Sequence, residues 1–155
     1  MSLLTTLLLA IDVARRKRDL ASQALAQAQQ REMAAQQQMA QLTSYADETE
    51  VRWVSQAQIC AVPELMRHHY QFMGRLNQAI EMQQGVMMEQ ARWVGVARKT
   101  LLDAELRLAT LCQVHRNKQA EAERLQMRRE QRQMDEMAAM RFGRFAGPAF
   151  SGENG

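Results

Sequence analysis

Proline is almost missing from this chain. Only Pro63 and Pro148 occur, so residues 1–62 and 64–147 run without an interruption of that kind. Glycine is equally scarce: residues 1–73 and 96–142 contain none. These are the residues that punctuate turns, and their absence excludes a fold of many short elements. Aromatic residues make up 5% of the 155 residues although 46% are hydrophobic. A globular core of that size normally buries more large side chains than this. Two cysteines, Cys60 and Cys112, are too few for a disulfide framework and stand at no metal-binding spacing, which points to a reducing cytoplasm.

Charge of one sign is lacking as well. The net charge is +3, with six basic and six acidic residues in 1–62 and seven against six in 118–155. A generic nucleic-acid binder shows a one-signed face. The local clusters Arg15-Arg16-Lys17-Arg18 and Arg128-Arg129 with Arg132 read as solvated helix faces, and nucleic acid is not expected as a partner. No glycine-rich phosphate loop is present. His68 and His69 are neighbours and project about 100° apart on a helix, so they cannot share a metal as an i, i+4 pair would, and His115 lies far from both in sequence. Neither a metal, a cofactor, a small-molecule substrate nor catalysis is expected.

What fills the chain is Ala, Gln, Met, Leu, Arg and Glu, all residues that lose little rotamer freedom in a helix. The apolar start Leu3-Leu4-Thr5-Thr6-Leu7-Leu8-Leu9-Ala10-Ile11 has its positive charges after it rather than before it. It is too short to span a bilayer, and it reads as the opening of a first helix capped by Ser2 or a threonine. That helix is expected over about residues 3–56. Stepping by seven from Leu4 gives Leu4, Ile11, Arg18, Leu25, Glu32, Met39 and Ala46; stepping from Leu7 gives Leu7, Ala14, Ala21, Ala28, Ala35, Leu42 and Thr49. Eleven of these fourteen are apolar, which is the heptad signature of a coiled coil. Eight glutamines between Gln23 and Gln41 cover much of the remaining surface.

A turn over residues 57–63 follows. The second helix is expected to start after Pro63, which suits a first helical position, and to run over about 64–142 with Gly143 as its stop. Its seam reads Met73, Leu76, Ile80, Met87, Val94, Ala97, Leu101, Ala104, Leu108 and Leu111. The fold class is therefore all-α: a long antiparallel two-helix coiled-coil hairpin over residues 1–145, followed by a disordered tail at 146–155. At 1.5 Å per residue the arms measure roughly 80 and 115 Å. Folded back at Pro63, the first helix ends opposite about residue 117, leaving 118–141 without a partner in the chain. That stretch still carries Leu125, Met127, Met134, Met137, Ala138 and Met140, which implies an external partner. Two charged residues sit in the first seam. Arg18 is expected near Asp103 and Glu32 near Arg92, as pairs that fix register at a cost in stability. On the second helix, Phe72, Leu76, Ala79 and Gln83 fall on one face at i, i+4, i+7 and i+11 and form the best interaction candidate. Met73, Ile80, Val86, Met87 and Trp93 lie beside them, an arc wider than one helix needs and rich in adaptable methionine.

Three segments carry a resemblance to the flagellar type III export proteins of the FliJ family. They are Gln41-Leu42-Thr43-Ser44-Tyr45 followed by Asp47 and Glu48; Tyr70-Gln71-Phe72 through Leu76-Asn77-Gln78-Ala79-Ile80; and Arg129-Glu130-Gln131-Arg132-Gln133-Met134-Asp135-Glu136-Met137-Ala138. They are similar to the family's Leu-x-x-Tyr segment, its aromatic–Leu–Ala-Ile pattern and its Glu-Gln-x-x-x-Asp-Glu-x-Ala ending, and span about Leu4 to Arg141. Thr49 occupies the neighbourhood of a second family aromatic, and Gln83 stands where relatives use histidine. The resemblance implies a non-enzymatic stalk of the flagellar export apparatus. It would bind the hexameric export ATPase through Leu125, Arg128, Arg129, Arg132, Met134 and Met137, and promote ring assembly and activity. It would also meet the cytoplasmic domain of the membrane export gate through Phe72, Leu76, Ala79 and Gln83, and handle export chaperones. Such proteins are cytoplasmic, associated peripherally with the inner membrane through the apparatus, and needed for motility. The equivalent stalk of a virulence secretion system, and a basic coiled coil binding nucleic acid or an anionic membrane, are the alternatives.

Overall fold

The computed structural model describes residues 2–59 and 62–145. Two α-helices account for almost all of them: α1, Leu3–Ile59, and α2, Pro63–Phe145. They pack antiparallel. The expected turn is shorter than 57–63, since α1 continues to Ile59 and α2 restarts at Pro63; Cys60 and Ala61 lie outside the described residues, as does the expected tail at 146–155. No described helix is long and apolar enough to cross a membrane.

Local chemistry sets the helix starts. Ser2 caps α1: its Oγ accepts from the Thr5 amide at 3.3 Å, and its carbonyl accepts from the Thr6 amide at 3.2 Å. In α2 the Val62 carbonyl accepts from the Met66 amide at 3.1 Å, leaving Pro63 at the first helical position, where its missing N–H costs nothing. Gly143 does not end α2. No described glycine has a positive φ, so the left-handed cap that would stop the helix there is not formed, and α2 runs on to Phe145.

The contacts divide the chain into two compact units. One joins the start of α1, up to Asp12, with the part of α2 from Ala109 onward; the other spans Val13–Leu108 and contains the hairpin turn. In the Val13–Leu108 unit the core is a single row of buried side chains. Ala14, Ala21, Ala28, Ala35 and Ala46 come from α1, and Leu76, Val94 and Leu108 from α2. Alanine at these positions allows close approach of the helices. In the other unit Ile11 is buried, with Leu4, Leu7, Leu111 and His115 half-buried. No described polar or charged side chain is buried.

All fourteen heptad positions of α1 named above are buried or half-buried. In α2 every apolar seam position expected from sequence is likewise buried or half-buried, but the row is fuller. Between them Gln83 and Gln90, and beyond either end His69 and His115, are half-buried at the same 3–4 spacing.

Candidate protein-interaction surfaces

A two-helix packing offers faces rather than a cleft. Among the described residues no group of three or more His, Cys, Asp or Glu side chains is placed to hold a metal. His69 stacks instead on Trp53 across the hairpin, with ring centroids 4.3 Å apart and planes within 7°. One stretch further along the seam, Tyr45 meets Phe72 edge to face at 6.0 Å and 78°. These cross-helix aromatic pairs lie near the turn and tie its two arms together.

The four residues of the expected gate contact are separated by this packing. Leu76 is a core residue, 8% exposed, and Gln83 points at α1, where its Nε2 donates to the Ala35 carbonyl at 2.8 Å and lies 3.4 Å from Gln38 Oε1. Phe72 remains exposed and Ala79 half-exposed beside the seam. The outward-facing part of the stripe is therefore Phe72 and Ala79. It opens onto a groove of ≈ 700 Å³ between the helices, lined by Gln38, Gln41, Leu42 and Tyr45 of α1 and by Ala79, Met82, Gln83 and Val86 of α2. Sequence reasoning missed the α1 wall. Tyr45 was visible only as part of a family segment, and its position one residue before the seam residue Ala46 was the signal for a flanking role.

The expected register pairs are not ion-paired among the described residues. Arg18 is half-buried and gives its guanidinium to Asp19 on its own helix, Nε and Nη2 to Oδ1 at 3.1 and 2.8 Å. Glu32 is half-buried, while Arg92 and Asp103 are exposed. Among the described residues no ion pair joins Arg18 to Asp103 or Glu32 to Arg92. The α2 seam passes through Gln90, Val94, Leu101 and Ala104, and so leaves Arg92 and Asp103 off the contact line.

In the unit that contains the start of α1, the seam of α2 ends with the partner. Residues 121–144 are exposed without a break. Carrying the heptad on from Leu111 and His115 gives Lys118, Ala122, Leu125, Arg129, Arg132 and Glu136, a row too charged for a two-helix seam. Apolar side chains are still present: Leu125, Met127, Met134, Met137, Met140 and Phe142 are all exposed. Arg128, Arg129 and Arg132 stand among them on the same free helix.

A family model described as "Flagellar FliJ protein" matches residues 4–147. No curated protein and no solved structure matches the chain.

Proposed function

We propose that this chain, which belongs to the flagellar FliJ family of non-enzymatic proteins, is a stalk of the type III export apparatus that binds the hexameric export ATPase through its free C-terminal helix. The observation that carries this reading is the run of exposed residues 121–144, helical throughout and rich in unpartnered apolar side chains. Such a helix gains most by entering a pore or groove that surrounds it. Leu125, Met134 and Met137 would make the apolar contacts, and Arg128, Arg129 and Arg132 would meet carboxylates or carbonyls of the ring.

In the same reading the flank at Phe72 and Ala79 meets the cytoplasmic domain of the membrane export gate, while Leu76 and Gln83 support it from the seam. The protein acts in the cytoplasm, attached to the inner membrane only through the apparatus, and hands on export chaperones. One chain that binds both ring and gate tethers the two to each other.

The test is ATP hydrolysis by the purified export ATPase of the same organism, titrated with this chain at physiological salt while ring assembly is followed by sizing. Stimulation that saturates near one chain per six ATPase subunits is expected, and it should be lost when Leu125, Met134 and Met137 are changed together to glutamine. These side chains are exposed, so the variant keeps its fold. Absence of both binding and stimulation with the unaltered chain contradicts the reading.

A further inference from the structure

Within the Val13–Leu108 unit the two flanks of the helix pair differ in chemistry. Beside the seam on one flank α2 presents Phe72, Ala79, Val86 and Trp93, each seven residues after the last. On the other flank the corresponding row is Tyr70, Asn77, Gln84, Ala91 and Arg98. Past Tyr70 that row carries only Ala91 among polar and charged residues, so a continuous apolar bed for a third helix lies on the first flank.

That flank holds two grooves, and they repeat. The second, of ≈ 300 Å³, lies between Ala21, Ala24, Gln27, Ala28 and Arg31 of α1 and Trp93, Val96, Ala97 and Thr100 of α2. Ala21 apart, each of these positions is offset by fourteen residues from its counterpart in the first groove, backward along α1 and forward along α2: Tyr45 becomes Arg31, Met82 becomes Val96 and Ala79 becomes Trp93. Fourteen residues are two heptads, about 21 Å along a helix. Trp93 and Val96 are 51% and 49% exposed, so the second groove, though smaller than the first, is accessible to an occupant. The two differ in charge. No charged side chain lines the first, whereas Arg31 lines the second and makes no ion pair among the described residues.

We propose that this flank seats one amphipathic α-helix of a protein partner across both grooves, with apolar anchors about two heptads apart and a carboxylate against Arg31. Trp93 and Val96 form the second anchor point and Arg31 fixes the partner's direction. Helix-in-groove recognition lays apolar anchors from one face of a helix into a groove, positions two heptads apart share such a face, and a single cation in an otherwise uncharged bed selects an acidic residue at one end. The identity of the partner rests on the gate reading above; the second groove and Arg31 are additions to it.

Binding of the purified cytoplasmic domain of the export gate to the full chain tests this. Trp93→Ala and Arg31→Glu should each weaken Kd by roughly tenfold or more, as truncation of interface anchors does. Phe72→Ala, which removes the ring packed against Tyr45 of the first groove's wall, should do the same, and Gln84→Ala on the opposite flank should change nothing. Circular dichroism should show unaltered helicity, since Trp93 and Arg31 are exposed. Loss on Phe72→Ala with wild-type affinity for both Trp93→Ala and Arg31→Glu overturns the two-groove proposal and leaves the gate reading standing. No binding by the unaltered chain overturns both. A dimer of this chain that Trp93→Ala dissociates in sedimentation also overturns it, since the occupant is then a second copy.

Discussion

Gln83 of α2 donates its side-chain amide to the main-chain carbonyl of Ala35 in α1, 2.8 Å away and 48 residues distant in sequence. It is a polar residue in a seam position, and the small Ala35 side chain is what lets the amide reach the backbone behind it. A hydrogen bond of this kind has one register only, so Gln83 aligns the two helices while contributing little net stability.

Gln83→Ala should destabilise the chain by about 1 kcal/mol in urea unfolding. Gln83→Leu, which keeps the volume and makes the seam apolar, should be at least as stable as the parent while loosening the choice of register. A Leu variant less stable than the Ala variant would contradict a seam role for this residue.

The alanine row sets how close the helices come. Ala21 is buried, whereas Ala24 on the flank is exposed. Ala21→Leu should cost about 1–3 kcal/mol by overpacking, and Ala24→Gln should move the thermal midpoint hardly at all. Equal effects at the two sites would rule out a close-packed alanine interface.

Gly74 and Gly85 are helical, and a Cβ at either would meet nothing within 4 Å. Gly74→Ala and Gly85→Ala should therefore each raise stability by about 1 kcal/mol. Thermal midpoints that do not rise would show that these positions are not helical in solution.

Trp53 and His69 stack across the hairpin near its turn. A double-mutant cycle with Trp53→Ala and His69→Ala should give a coupling of roughly 0.5–1.5 kcal/mol. A coupling indistinguishable from zero would mean the arms near the turn are not held by this pair.

Most of the fold was legible because a heptad repeats. Leu4 through Thr49 announced the α1 seam, and every one of those positions faces the partner helix to some degree. The α2 seam was read by hydrophobicity, which passed over His69, Gln83, Gln90 and His115; following phase alone would have found them. Helical spacing alone joined Phe72, Leu76, Ala79 and Gln83 into one binding stripe, although Leu76 and Gln83 face α1. Charge misled in another way. Arg18 found its carboxylate in the next residue, Asp19, because an adjacent partner involves less lost side-chain freedom than one across the seam. The grooves were not legible at all, since each is made by two helices whose alignment only the packing defines.

The measurement that tests the central claim most directly is hydrogen–deuterium exchange of the full chain, alone and with the assembled export ATPase. Backbone amides in residues 121–144 should exchange quickly in the free chain, where no second helix covers them, and slow by at least about tenfold in the complex. Unchanged exchange across 121–144 in a complex shown to have formed would contradict the account, because the free helix would then not be where the ATPase binds.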